Sequence, residues 1–142
     1  METAGSAREL DRSRYVGDHM TPAPVCIALE ADLGAAVDLM REHGIRHLPV
    51  MDGAQLAGVV SDRDLAMIES LLPEEWQQIC VAEAMTPQPY AVTEQAPLWE
   101  VAKHMAHEKI GCAVVTDEHG EVLGLFTTTD ALRVLSELSG PG

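Results

Sequence analysis

Gly58-Val59-Val60-Ser61-Asp62-Arg63-Asp64-Leu65 and Gly124-Leu125-Phe126-Thr127-Thr128-Thr129-Asp130-Ala131 are one pattern written twice. Each begins with glycine and an apolar pair, followed by a hydroxyl residue, two more positions and an aspartate. An apolar run that meets hydroxyl-x-x-Asp predicts a buried strand turning directly into a helix. The surroundings repeat as well. Val16, Met20-Thr21-Pro22 and Pro24 return as Val81, Met85-Thr86-Pro87 and Pro89. Leu33, Met40, Ile45, Val50 and Asp52 return as Leu98, Met105, Ile110, Val115 and Asp117. A duplicated unit this short cannot bury its own hydrophobic face. Two of them predict halves packed about a pseudo-twofold axis, with paired clefts suited to small molecules.

Each copy predicts strand, helix, strand, strand, helix: an α+β fold of two β-α-β-β-α repeats. Residues 25–29 form a short apolar strand. Residues 32–43 then place Leu33, Ala36, Val37 and Met40 at helical spacing, and Gly44 stops the helix. In the second copy Pro97 enters the first helical turn, and Leu98, Val101, Ala102 and Met105 make the apolar face. Strands follow at 46–51 and 111–116, then turns at Asp52-Gly53 and Glu118-His119-Gly120, then strands at 56–60 and 122–126. Helices open after Ser61 and Thr127. Pro73 predicts a short helix carrying Trp76 and Ile79; Trp76 either staples this connector to the body or marks a partner surface. The expected organisation is a mobile arm at 1–14, a first repeat at 15–72, a connector helix at 73–80, a second repeat at 81–138 and a frayed tail at 139–142.

With 142 residues, 46% of them hydrophobic, the chain fits one soluble domain or two half-domains sharing a core. No apolar run approaches the roughly 20 residues that span a membrane, and Met1 to Arg14 lacks the apolar stretch of a signal peptide. Cys26, Cys80 and Cys112 form no CxxC pair; an odd, dispersed set fits a reducing cytoplasm. A formal net charge of −14 disfavours a nucleic-acid partner, whose phosphate backbone demands clustered Lys and Arg. It leaves room for a single nucleotide, since a few local donors neutralise one phosphate.

Met-Thr-Pro, then Gly44-Ile45-Arg46-His47-Leu48-Pro49-Val50-Met51-Asp52, then residues 58–65 together resemble a cystathionine-β-synthase (CBS) domain. The second copy is similar at Met85-Thr86-Pro87, Ile110 to Asp117 and Gly124 to Asp130, so the resemblance covers residues 16–135. It implies a tandem module, often a homodimer, that binds adenosine compounds (AMP, ADP, ATP, S-adenosylmethionine, sometimes dinucleotides) for regulation. It also implies two ligand clefts. One combines Ser61, Arg63, Asp64 and the phosphate-facing His47 with Met85, Tyr90 and Ile110. The other combines Thr127, Thr129 and Asp130 with Met20, Val25, Ile45 and Arg46.

The residue chemistry runs beside the resemblance. A carboxylate at a helix start accepts hydrogen bonds from both hydroxyls of a ribose, and the free N–H groups of that helix end hold phosphate. The same [ST]-x-x-[DE] spacing is also the capping box, in which Asp64 and Asp130 serve only their own helices. The two copies are chemically unequal. Arg46-His47 is matched by Gly111-Cys112, and Arg63 by Thr129. The Ser61 cleft is therefore the expected phosphate site, through Arg63 and a protonated His47, with Tyr90 against adenine or simply in the core. Asp62 opposes phosphate there.

His104 and His107 lie three apart on a helix with Glu108 following, a thin set for a metal, and no metal site is expected. Met40 and Met105 read as core. No Ser-His-Asp or Cys-His constellation stands out, so the chain is expected not to be an enzyme but a stand-alone sensor acting on another protein. The alternative is an interaction or scaffold dimer whose clefts take no nucleotide.

Overall fold

Leu33, Ala36 and Met40 line the buried side of a helix at the predicted place, capped by Asp32, whose carboxylate accepts from the Ala35 N–H at 2.8 Å. The structure, a computed structural model, describes residues 14–22 and 25–141. The expected N-terminal arm lies outside them except for Arg14. In chain order the elements are β1 (Thr21–Pro22), β2 (Ile27–Ala28), α1 (Leu33–His43), β3 (His47–Asp52), β4 (Gln55–Ser61), α2 (Asp62–Leu71), α3 (Val81–Ala84), β5 (Thr86–Pro87), β6 (Ala91–Thr93), α4 (Leu98–Glu108), β7 (Cys112–Thr116), β8 (Val122–Thr127) and α5 (Thr128–Ser139). This is a mixed α+β fold with two four-stranded sheets.

The chain divides into two compact units. Of the described residues, one holds 25–89; the other joins 14–22 to 90–141. In the first unit the strand order is β2-β3-β4-β5. The β2–β3 pair is parallel, while β3–β4 and β4–β5 are antiparallel. Its core gathers Ile27, Leu33, Ala36, Met40, Leu48, Val50, Val60, Leu65 and Val81, with Trp76 and Ile79 packed on it. In the second unit the order is β1-β8-β7-β6, with β6–β7 parallel and the other pairs antiparallel. Val16, Val101, Met105, Ala113, Val115 and Phe126 form that core. Each Val or Leu so buried contributes about 1.5–3 kcal/mol over leaving it in water.

The Met-Thr-Pro segments carry the least expected structure. They form two-residue strands that leave their own repeat. Thr86-Pro87, at the head of the second copy, pairs with β4 of the first: Gly58 faces Pro87 and Val59 faces Thr86. Thr21-Pro22 pairs with β8 of the second copy in the same register. This is why the repeated glycine is needed. A Cβ on Gly58 would lie 2.5 Å from the Thr86 carbonyl oxygen and 2.7 Å from Met85 Sδ. A Cβ on Gly124 would meet the Thr21 oxygen and Met20 Sδ at the same distances. The compact units therefore do not coincide with the sequence repeats.

The connector differs from expectation. Pro73 starts no helix; it sits in a turn, and a single 3-10 turn at Trp76–Gln78 follows. Proline fits a turn position as well as a first helical turn, and too few residues follow for a helix to propagate. Ser139, assigned to the frayed tail, is instead the last residue of α5, where its hydroxyl donates to the Leu135 carbonyl at 2.7 Å. Among the described residues no helix is long and apolar enough to cross a membrane.

Candidate functional site

In the first unit, β4 runs straight into α2, and the junction is a full capping box. Asp64 Oδ2 accepts from the Ser61 backbone N–H at 2.8 Å and from the Ser61 hydroxyl at 3.0 Å, while the Asp64 N–H donates to Ser61 Oγ at 3.2 Å. The other oxygen, Oδ1, takes no hydrogen bond among the described residues. Ser61, Arg63, Asp64, Ala66 and Met67 line an open groove of about 480 Å³. Arg63 and Met67 are exposed and Asp64 is half-buried.

His47 lies opposite Ser61 in the β3–β4 pairing. Burial pushes its imidazole below the ordinary value of 6.5; Asp62 and Asp64 oppose the shift and Arg46 adds to it. The shift favours the neutral imidazole and runs against the expected protonated histidine facing phosphate, because desolvation outweighs the two carboxylates. A neutral imidazole still offers one donor and one acceptor.

The second unit carries the same junction at β8 and α5. Asp130 Oδ2 accepts from the Thr127 N–H at 2.9 Å and the Thr127 hydroxyl at 3.2 Å. Here Oδ1 is occupied too. Arg133 Nη1 donates to it at 2.9 Å and Thr21 Oγ1 at 3.1 Å. Asp130 is 1% exposed, the only buried charged side chain among the described residues. Cys112 takes the place of His47, opposite Thr127. Burial, reinforced by the Asp130 charge, pushes its thiol up to about 12.

The remaining candidates separate by unit. Met85 packs on the first core together with Val25 and Ile45, and Arg46 gives its carbonyl to the Asp62 N–H at 3.0 Å. Met20, Tyr90 and Ile110 pack on the second core. Tyr90 lies with its ring centroid 4.1 Å from that of His104, so one face already has an aromatic neighbour. Thr129 is exposed on the first turn of α5. His107 Nδ1 lies 2.9 Å from Glu108 Oε2, and no group of three or more His, Cys, Asp or Glu among the described residues is placed to hold a metal.

Two participants escaped the sequence. Arg133 had a readable signal, since Asp and Arg three apart on a helix face each other. Thr21 had none, because its partner lies on the far side of the chain in sequence.

The CBS domain profile matches residues 16–70 and 81–137. Inosine-5'-monophosphate dehydrogenase from Korarchaeum cryptofilum (strain OPF8) is 36% identical over 75% of this chain, which spans only 21% of that enzyme. Among solved structures, the CBS domain of the bacterial CNNM/CorC family Mg2+ transporter in complex with ATP is 30% identical, with a TM-score of 0.75, covering 96% of this chain and 95% of that one. CBSX2 in complex with AMP is 27% identical with a TM-score of 0.75, covering 89% of this chain and 99% of that one.

Proposed function

The chain belongs to the CBS domain family, as two copies in tandem, and from that premise we propose that it is a regulatory module sensing an adenosine compound (AMP, ADP, ATP or S-adenosylmethionine). The observation that carries this is the Asp64 carboxylate. Its helix cap uses one oxygen and leaves the other to accept from a ribose diol, in a groove that also presents Arg63 for phosphate. Relatives solved with AMP and with ATP support the same ligand class. Ser61, Arg63 and Asp64 are the core of the site, with His47 as a neutral hydrogen-bonding neighbour.

The module acts by population shift: ligand favours one arrangement because it binds that arrangement better, and a protein target reads the difference. It works as a homodimer without catalysing a reaction itself. Exposed Leu132, Leu135 and Leu138 on α5 supply an apolar helix face for that pairing. Three thiols outside any disulfide fit the reducing cytoplasm as its compartment.

Calorimetric titration with AMP, ATP, S-adenosylmethionine and NAD tests the proposal, alongside mass spectrometry of small molecules that copurify. Saturable binding that Asp64→Ala abolishes supports it. No binding of any of these at millimolar ligand sinks it. The leucine face of α5 also fits the second reading, an interaction dimer with no nucleotide, whose signature would be a dimer in light scattering that binds none of these ligands.

A further inference from the structure

The two matched aspartates differ at one oxygen. Asp64 Oδ1 is open among the described residues, whereas Asp130 Oδ1 receives both Arg133 Nη1 at 2.9 Å and Thr21 Oγ1 at 3.1 Å. Arg133 reaches it from one turn along α5, with its own side chain 55% exposed. At the matching place in the first repeat stands Met67, exposed on α2 and unable to donate a hydrogen bond. Thr86, the match of Thr21, makes no side-chain hydrogen bond to Asp64 among the described residues. A ribose diol and a guanidinium compete for the same carboxylate oxygen, and only the guanidinium adds the attraction of opposite charges to its hydrogen bond.

We infer that the Thr21–Asp130–Arg133 clasp closes the second hydroxyl-x-x-Asp motif to nucleosides, so that each chain takes one adenosine ligand, at Ser61 and Asp64. Arg133 against Met67 is the pair of residues that decides which repeat is occupied. This rests on the adenosine-binding proposal but adds a determinant to it. The clasp also gives Asp130 a second task, because Thr21 belongs to β1 and the carboxylate thereby fastens that short edge strand to the start of α5.

Exchanging the two residues tests the inference. AMP is titrated calorimetrically into the whole chain, into Arg133→Met and Arg133→Ala, and into Met67→Arg, with thermal unfolding recorded for each. One AMP per wild-type chain, two per Arg133→Met or Arg133→Ala chain, and binding weakened about tenfold or more by Met67→Arg are expected. Two sites in the wild type, or one unchanged site in the Arg133 variants, overturn it. Met67→Arg keeps the question decidable if the Arg133 variants unfold: unchanged affinity there refutes the inference by itself. A wild type that takes no AMP defeats the Ser61–Asp64 site. In that case one AMP bound by an Arg133 variant upholds the clasp, and none removes it as well.

Discussion

Ser61 and Asp64 hold each other through a single carboxylate oxygen: Oδ2 accepts from the serine N–H at 2.8 Å and from its hydroxyl at 3.0 Å. Helix capping and ligand binding, which the hydroxyl-x-x-Asp spacing poses as rivals, are thus divided between two oxygens of one side chain. Ser61→Ala should lower stability by about 1 kcal/mol in urea unfolding, the usual loss for an N-cap, and weaken AMP binding less than a change at the Asp64 carboxylate does. Asp64→Asn should keep part of the cap and weaken AMP binding by about tenfold or more. Equal loss of binding in both variants would show that the two roles are not separable.

Gly58 lies against the Thr86 carbonyl where a Cβ would come within 2.5 Å of it. The contact is with backbone, which cannot swing aside as a side-chain tip can. Gly58→Ala should therefore push β5 from the sheet and destabilise the chain by about 1–3 kcal/mol, the range for overpacking. Gly124→Ala should do the same to β1. A denaturation midpoint unchanged in either variant would contradict the close approach.

His47 links stability to pH. Its folded value lies below the ordinary 6.5, so as pH falls the unfolded chain takes up this proton first. The contribution is fully present above 6.5 and is lost as pH falls from there through the folded value. Asp62 and Asp64 soften the effect and Arg46 sharpens it. His47→Cys, copying Cys112, should show a smaller drop in urea midpoint than wild type between about pH 7.5 and about pH 5.5. A drop as large in the variant would remove His47 as its source.

The thiols should react in a fixed order. Cys80 is exposed, whereas burial pushes both Cys26 and Cys112 up, the latter to about 12. At about pH 8 the thiolate is the reactive form, so a thiol reagent should label one site quickly in the native protein. Cys80→Ser should abolish that fast phase. Rapid release of two or three equivalents from wild type would show that the half-buried Cys26 and Cys112 react as readily as Cys80.

The main helices and the hairpins were legible because their signals are local. Leu33, Ala36 and Met40 repeat at helical spacing, and Val59 and Val60 lead into a hydroxyl cap. Gly44 marked the end of α1 with its left-handed φ of 63°. Lys109 ends α4 at φ 59° with no such mark, since the residue type does not advertise that conformation. The Met-Thr-Pro strands were not legible: two residues are too few for an alternating pattern, and their partners lie far along the chain. The candidate site divided in the same way. Ser61, Arg63 and Asp64 are neighbours in sequence and line one groove. The lowered value of His47 depends on burial, which no spacing encodes.

The lending of β1 and β5 means that the duplication visible in the sequence cannot be undone with scissors. A fragment ending at the last residue of the connector would carry the whole first repeat, yet would lack Thr86-Pro87. The outer N–H and C=O groups of β4 would then face water as a bare template. A fragment cut instead to Pro24–Pro89 retains that strand and a complete sheet. What was copied as a segment and what holds together as a body are therefore different stretches of the chain. Any half-protein built from this sequence, whether for crystallisation or for fusion to another domain, should follow the second boundary.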